Sequence, residues 1–268
     1  MNVGLMLVRN EIDVLQEALR HHCEHFRYIV CQDGSTDGGT QLLSDCPNVI
    51  KLFRDEDYLK PGERFCDAHR NIGLKWIRRE FGPNTWITLL HADEFWYDDP
   101  ISAAEEADRK RKTYVLWAEF RFFLHESDRG KPKRPGMPIW QRIRYYCGPF
   151  FEIRQFYLAT HHTYIPGEDH RTLPGPLPQC RENRLERVPR YCHYPYRSIE
   201  QVRKCYKDKC ESRYWQPDHE WLKDRMDDPF VRFLPPPRNS PLAHWWRVGW
   251  FSGRLPEAEP FLPADWDG

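Results

Sequence analysis

The chain has 268 residues, 40% hydrophobic and 30% charged, with 40 basic side chains set against 40 acidic ones. The composition is globular and the length suits one large domain, or one domain with an appendage. Zero net charge argues against a general nucleic-acid or anionic-membrane binder, which carries excess positive charge.

Met1-Asn2-Val3-Gly4-Leu5-Met6-Leu7-Val8 lacks a basic leader region and runs straight into Arg9, Asn10 and Glu11, so it reads as a buried strand and not as a signal peptide. Asn10 reads as the N-cap of a helix whose stripe is Ile12, Leu15, Leu19, His22 and Phe26. Tyr28–Cys31 is a second buried strand, Gln32–Gly39 a turn, Thr40–Leu43 the start of a short helix and Val49–Phe53 a third strand. Phe65, Ala68, Ile72 and Trp76 share a helix face, and Trp86–Leu90 is a fourth strand ending at His91-Ala92-Asp93-Glu94. Strand and helix alternating every ~30 residues imply an α/β core with a mostly parallel central sheet flanked by helices. Ligands of such sheets bind beyond the carboxyl ends of the strands, where the Asp33 turn and Asp93 both lie.

The second half changes character. Ile101–Lys112 reads as helix, and Tyr114–Leu124, Trp140–Tyr146 and Phe151–Leu158 as strands of a mixed β region. His125–Pro138 and Thr163–Pro189 read as loops. Ser198 and Gln201 form a capping box ahead of Ile199, Val202 and Tyr206. From Pro235 the chain is an irregular Trp- and Pro-rich extension, whose tryptophans serve either packing or a sugar-stacking wall. The expected organisation is a core over 1–197, with a nucleotide half over 1–100 and an acceptor half over 101–197, and a C-terminal helix plus extension over 198–268 packed on it.

Nine cysteines in no regular framework read as reduced thiols of a cytoplasmic protein. Cys180, Cys192, His193, Cys205 and Cys210 lack the Cys-x-x-Cys pair of common zinc sites. No stretch approaches the ~18 apolar residues of a membrane span, so any membrane attachment is expected to run through partners.

Arg9-Asn10-Glu11, Gln32-Asp33-Gly34-Ser35-Thr36-Asp37-Gly38, Arg70-Asn71-Ile72-Gly73-Leu74 and His91-Ala92-Asp93-Glu94 stand in the order and spacing of family-2 glycosyltransferases of the GT-A fold, which the chain resembles over about residues 3–100. His193-Tyr194-Pro195-Tyr196-Arg197-Ser198-Ile199-Glu200-Gln201 resembles a late segment of some members. The resemblance implies a metal-assisted, inverting transfer of a sugar from a nucleotide sugar, expected to be UDP-linked, to an acceptor hydroxyl. It implies nucleotide contacts from Arg9, Asn10 and Asp33, with Asp33 at the base or ribose and Arg70 at the pyrophosphate. A forked guanidinium suits phosphate oxygens.

His91-Ala92-Asp93 occupies the place of the family's Asp-x-Asp motif, with His91 replacing the first Asp, just as Gln32 replaces the Asp usual before Asp33. Asp93 is the expected ligand of Mn²⁺ or Mg²⁺, His91 either lines the ribose or ligates, and His193 is a further ligand candidate; imidazole is tolerated better by Mn²⁺. The family's late acidic base is expected at Asp169, beside Glu168, with Glu152 as competitor. The acceptor is open: a glycan, a lipid-linked glycan, a small molecule or a nucleic acid. The last follows only from Arg129, Lys131, Lys133, Arg134, Arg142 and Arg144 near Trp140, Tyr145 and Tyr146. Two other readings remain: a nucleotidyltransferase, for which Asn2–Glu11 lacks the Gly-rich basic loop, and a catalytically inactive domain binding sugars or a partner.

Overall fold

The computed structural model describes residues 1–54, 69–126, 129, 137–159, 185–210 and 251–254. The elements are β1 (Asn2–Val8), α1 (Ile12–His25), β2 (Ile29–Asp33), α2 (Gly39–Asp45), β3 (Val49–Arg54), α3 (Arg70–Phe81), β4 (Trp86–His91), β5 (Glu94–Trp96), α4 (Pro100–Arg109), β6 (Tyr114–Phe123), α5 (Ile139–Arg142), β7 (Tyr145–Tyr157), β8 (Arg190–Tyr196), α6 (Ile199–Cys210) and β9 (Phe251–Arg254). One nine-stranded sheet runs β3-β2-β1-β4-β7-β6-β8-β5, with β9 on β7. Pairing is parallel among β1, β2, β3 and β4, but β7 joins β4 and β9 antiparallel. The sheet is therefore mixed, where the alternation of elements predicted a mostly parallel one.

By contact density the chain divides into two units, Met1–Ala118 with Phe151–Tyr191 and Asp267–Gly268, and Glu119–Phe150 with Cys192–Trp266.

In the first unit β1, β2 and β4 are buried along most of their length and largely apolar, because both faces are covered. Val3, Leu5, Val30, Ile87 and Leu89 meet Leu74 and Ile77 of α3 on one face. Met6, Val8 and Leu90 point the other way by alternation and are equally buried. Gly73 is the contact point of α3, since a Cβ there would lie 2.6 Å from Leu5 Cδ1.

The start of α1 differs from expectation. Its N-cap is Glu11, with no side-chain cap of its own. Asp37, 25 residues downstream, accepts from Ile12 N with Oδ2 at 3.0 Å and from Gly39 N with Oδ1 at 2.9 Å, so one carboxylate serves the first turns of α1 and α2. Asn10 instead takes a left-handed φ of 57° and ties the end of β1 to the next turn: Oδ1 accepts from Thr36 N at 2.7 Å, and its N donates to Ser35 Oγ at 3.0 Å. Asn tolerates that conformation better than most residues.

Two histidines of α1 grip the segment that carries Asp93. His22, fully buried, lies 3.0 Å from the His91 carbonyl through Nε2; a carbonyl only accepts, so His22 carries its proton there. His21 Nε2 accepts from Trp96 N at 2.8 Å, so its proton sits on Nδ1. The neighbours thus hold opposite tautomers at the two ends of one turn. Burial, aided by neighbouring histidines, pulls their pKa values down from 6.5 to about 3 for His21 and about 4 for His22.

Within the second unit β9 continues the sheet along Tyr145–Gly148, so part of the extension expected to be irregular is strand. The strand expected over Trp140–Tyr146 is the short helix α5 followed by β7, which also absorbs Phe151–Tyr157. Phe122 stacks on Tyr194 at 4.5 Å. Ser198 Oγ accepts from Gln201 N at 3.1 Å, capping α6 as its spacing predicted.

Ser198→Ala is expected to cost ~1 kcal/mol of stability through the lost cap, read from the denaturation midpoint. A pH dependence follows from the two histidines. Their folded pKa values lie below the unfolded one, so the unfolded chain binds the extra protons. Their contribution is complete above pH 6.5 and is lost as pH falls toward about 4 and 3. Stability should drop by up to ~1.4 kcal/mol per pH unit for each histidine across that window. His22→Gln, which keeps a donor, should remove about half of that slope in urea titrations between pH 7 and pH 4.5.

Candidate functional site

Parallel register builds the site. Val8 pairs with Asp33, Asp33 with Arg54 and Leu7 with His91, so the carboxyl ends of four strands form one row at the same edge. Arg54, Asp33, Asn10 and the His91–Asp93 segment stand along it.

Asp33 is fully buried. Oδ1 accepts from Ser35 N at 2.9 Å, and Oδ2 accepts from Thr40 Oγ1 at 2.7 Å and from Arg54 Nη1. A buried carboxylate requires such partners. Arg54 also reaches Thr40 Oγ1 and the Ser35 carbonyl. Its side chain keeps 26% exposure, so the Asp33 turn presents a cation at its open side. Thr40 and Arg54 were missed in the sequence. The only signal was a basic residue directly after the third apolar run.

Arg70 is fully buried at the start of α3. Nη1 donates to the Leu5 carbonyl at 2.8 Å, and Nη2 lies 2.6 Å from His91 Nε2. A guanidinium only donates, so that nitrogen of His91 accepts and the ring proton sits on Nδ1, which is 3.8 Å from Glu94 Oε1. Glu94 is fully buried and paired with Arg154 Nη2. Arg154 also holds Glu152 Oε2 at 2.9 Å and donates from Nε to the Tyr191 hydroxyl at 3.0 Å. Arg70, His91, Glu94, Arg154 and Glu152 thus form one chain of polar contacts, and Asp93 is half-buried in the turn between β4 and β5. Arg9 is exposed and Asn10 half-buried beside the Asp33 turn.

In the second unit His193 Nδ1 lies 2.6 Å from Glu119 Oε1, and Arg121 Nη2 donates to Glu119 Oε2 at 3.1 Å. Burial pushes the Glu119 carboxyl up, but Arg121 and His193 outweigh it and hold the group well below the usual carboxylate range. An ionised Glu119 only accepts, so His193 donates to it from Nδ1–H. Arg144 is buried, so it is no part of an open basic face, and Lys131, Lys133 and Arg134 lie outside the described residues. So do Glu168 and Asp169.

The donor sets differ in what they offer a cation. Asp93 supplies hard carboxylate oxygen at the strand edge, whereas the Nε2 lone pair of His91 is already taken by Arg70. His21, Glu24 and His25 on α1 form a separate cluster, with ligand atoms within 4.8 Å of one another, that can hold a divalent ion. His25 Nδ1 there rests on Asp99 Oδ1 at 3.1 Å, while His21 would first have to release the Trp96 N–H. No helix among the described residues is long and apolar enough to cross a membrane.

The glycosyl transferase family 2 profile matches residues 5–167. None of the curated proteins compared matches the chain. Among solved structures, TarS 1–349 of S. aureus in complex with UDP superposes with a TM-score of 0.40 at 12% identity, covering 84% of this chain and 70% of that one. A longer TarS structure gives a TM-score of 0.39 at 12% identity over 84% of this chain, which spans only 42% of its length. Mouse xyloside xylosyltransferase 1 gives 0.29 at 12% identity, over 92% of this chain and 90% of that one. With the profile spanning the parallel half of the sheet, its carboxyl-edge row and the Asp93 turn, the chain belongs to glycosyl transferase family 2 and has an α/β, GT-A-like fold with a mixed central sheet.

Proposed function

We propose that the chain transfers a sugar from a nucleoside diphosphate sugar, UDP-linked, to an acceptor hydroxyl with inversion. The observation that carries this reading is the register that sets the Asp33 turn and the Asp93 turn on one sheet edge. The nucleoside occupies the Asp33 end, where Asn10, Arg9 and the exposed flank of Arg54 line the turn and Asp33 organises them. Asp93 marks the diphosphate end. A divalent ion, Mn²⁺ or Mg²⁺, bound there would neutralise charge on the leaving diphosphate. Asp93 supplies its anionic protein ligand.

Arg70 acts from beneath. Buried and bonded to His91, it fixes that ring's tautomer and direction instead of meeting phosphate, and His91 lines the ribose side. Glu94 and Arg154 brace the turn from below, which keeps the Asp93 carboxylate preorganised. The acceptor proton goes to Asp169, with Glu168 beside it. Glu152 is the poorer base because one of its oxygens already holds Arg154. Hydrolysis of the donor in the presence of Mn²⁺ separates this enzyme from an inactive binding domain, which gives none.

Asp93→Asn keeps size and removes charge, so the melting temperature should hold while turnover falls by at least ~10²–10³. Turnover within about threefold of wild type, a barrier change below ~0.7 kcal/mol, would remove Asp93 from the site. Asp33→Ala should weaken UDP binding in calorimetry on protein shown to be folded. Unchanged affinity for every nucleoside diphosphate would move the nucleoside elsewhere.

A further inference from the structure

Cys23 lies near the end of α1, and Cys46 directly follows α2. Their Sγ atoms are 3.4 Å apart and both thiols are free. Cys46 is buried, whereas Cys23 is half-buried and meets solvent. A disulfide is about 2.05 Å long, so each sulfur has to move by roughly 0.7 Å, within the reach of small side-chain rotations. The two residues sit at the ends of two different helices, whose first turns Asp37 ties together.

We propose that Cys23 and Cys46 are a redox modification site that closes to an intramolecular disulfide, with a low-molecular-weight disulfide as oxidant. The Cys23 thiolate attacks one sulfur of the oxidant RSSR. A mixed disulfide Cys23–S–S–R forms, and RS⁻ leaves and takes up the proton lost by Cys23. The Cys46 thiolate then attacks the Cys23 sulfur and expels the second RS⁻, which takes the Cys46 proton. Two protein thiols are oxidised and one RSSR is reduced to two RSH.

The order of attack follows exposure. Cys31, fully buried in β2, and Cys192, buried in β8, are closed to an external oxidant. Burial and the Cys46 contact push the Cys23 thiol up to about 12, so the thiolate is scarce at neutral pH and closure is slow there. The bond encloses β2, the Asp33 turn and α2 in one loop. It restricts the unfolded chain without asking the folded one to rearrange. In a reducing compartment the pair stays open, and in an oxidising one it latches α1 to α2 around the proposed nucleotide turn.

The test uses the full chain with oxidised glutathione at about pH 8.5, where thiolate is more abundant. Alkylation, digestion and mass mapping follow. The expected product is a Cys23–Cys46 cross-linked peptide, two hydrogens lighter than the separate thiol peptides and lost on treatment with dithiothreitol. The thermal transition should rise by roughly 5–10 °C and return on reduction. In Cys46→Ser, Cys23 should stop at the glutathione mixed disulfide; in Cys23→Ser, Cys46 should stay a free thiol. Should either serine variant misfold, the wild-type peptide map decides alone. Complete alkylation of both cysteines after oxidation of the native protein, or a Cys31–Cys46 bond in place of Cys23–Cys46, would overturn the assignment.

Discussion

Parallel strand register is the constraint on which the site depends. Side chains at the carboxyl ends of β1, β2, β3 and β4 come from positions as distant as 8 and 91, and nothing but the ladder brings them level. Parallel pairing is stable only when both faces of the sheet are covered. The packing of α3 against Leu5 and Val30, with Gly73 at the contact, therefore precedes any chemistry. A slip of one residue would turn Asp33 and Arg54 to opposite faces and dissolve the buried pair.

Charge burial is the second organising feature. Asp33, Arg70, Glu94 and Glu119 are all fully buried, and an isolated charge there would be prohibitive. Asp33, Arg70 and Glu94 are answered from distant parts of the chain by Arg54, His91 and Arg154, and Glu119 by Arg121 two positions along its own strand together with His193. Such pairs add little net stability over apolar replacements, but breaking one leaves a charge stranded. They hold the strand ends in one arrangement, which is what a site that stabilises developing charge requires. The histidines of α1 extend the scheme with neutral groups, one donating to and one accepting from the segment that carries Asp93.

The composition of polar neighbours also changes the meaning of individual residues. Arg70 has the fork expected of a phosphate ligand, and the fold buries it against the Leu5 carbonyl and His91. Asn10 has the side chain of a helix cap, yet it stitches β1 to the Asp33 turn, while Asp37 performs the capping from the far side. Residue type restricted the chemistry in both cases; the fold chose the partner.

The sequence by itself determined what is local. Apolar runs marked β1, β2, β3 and β4 to within a few residues, because strands of the sheet interior are mostly apolar. The Asp33 turn and the Ser198 cap were legible because their hydrogen bonds span two and three residues. The order of four short motifs was enough to place the chain near its family. Only the tertiary structure decided what is distant: that β7 runs antiparallel beside β4, that Trp140 begins no strand, that β9 pairs with β7, and that Arg54, Asp37, His21 and His22 serve the row of strand ends. A contact between residues so far apart in sequence leaves no period and no spacing in the chain. It is chosen when the sheet closes and a buried polar atom must find its partner.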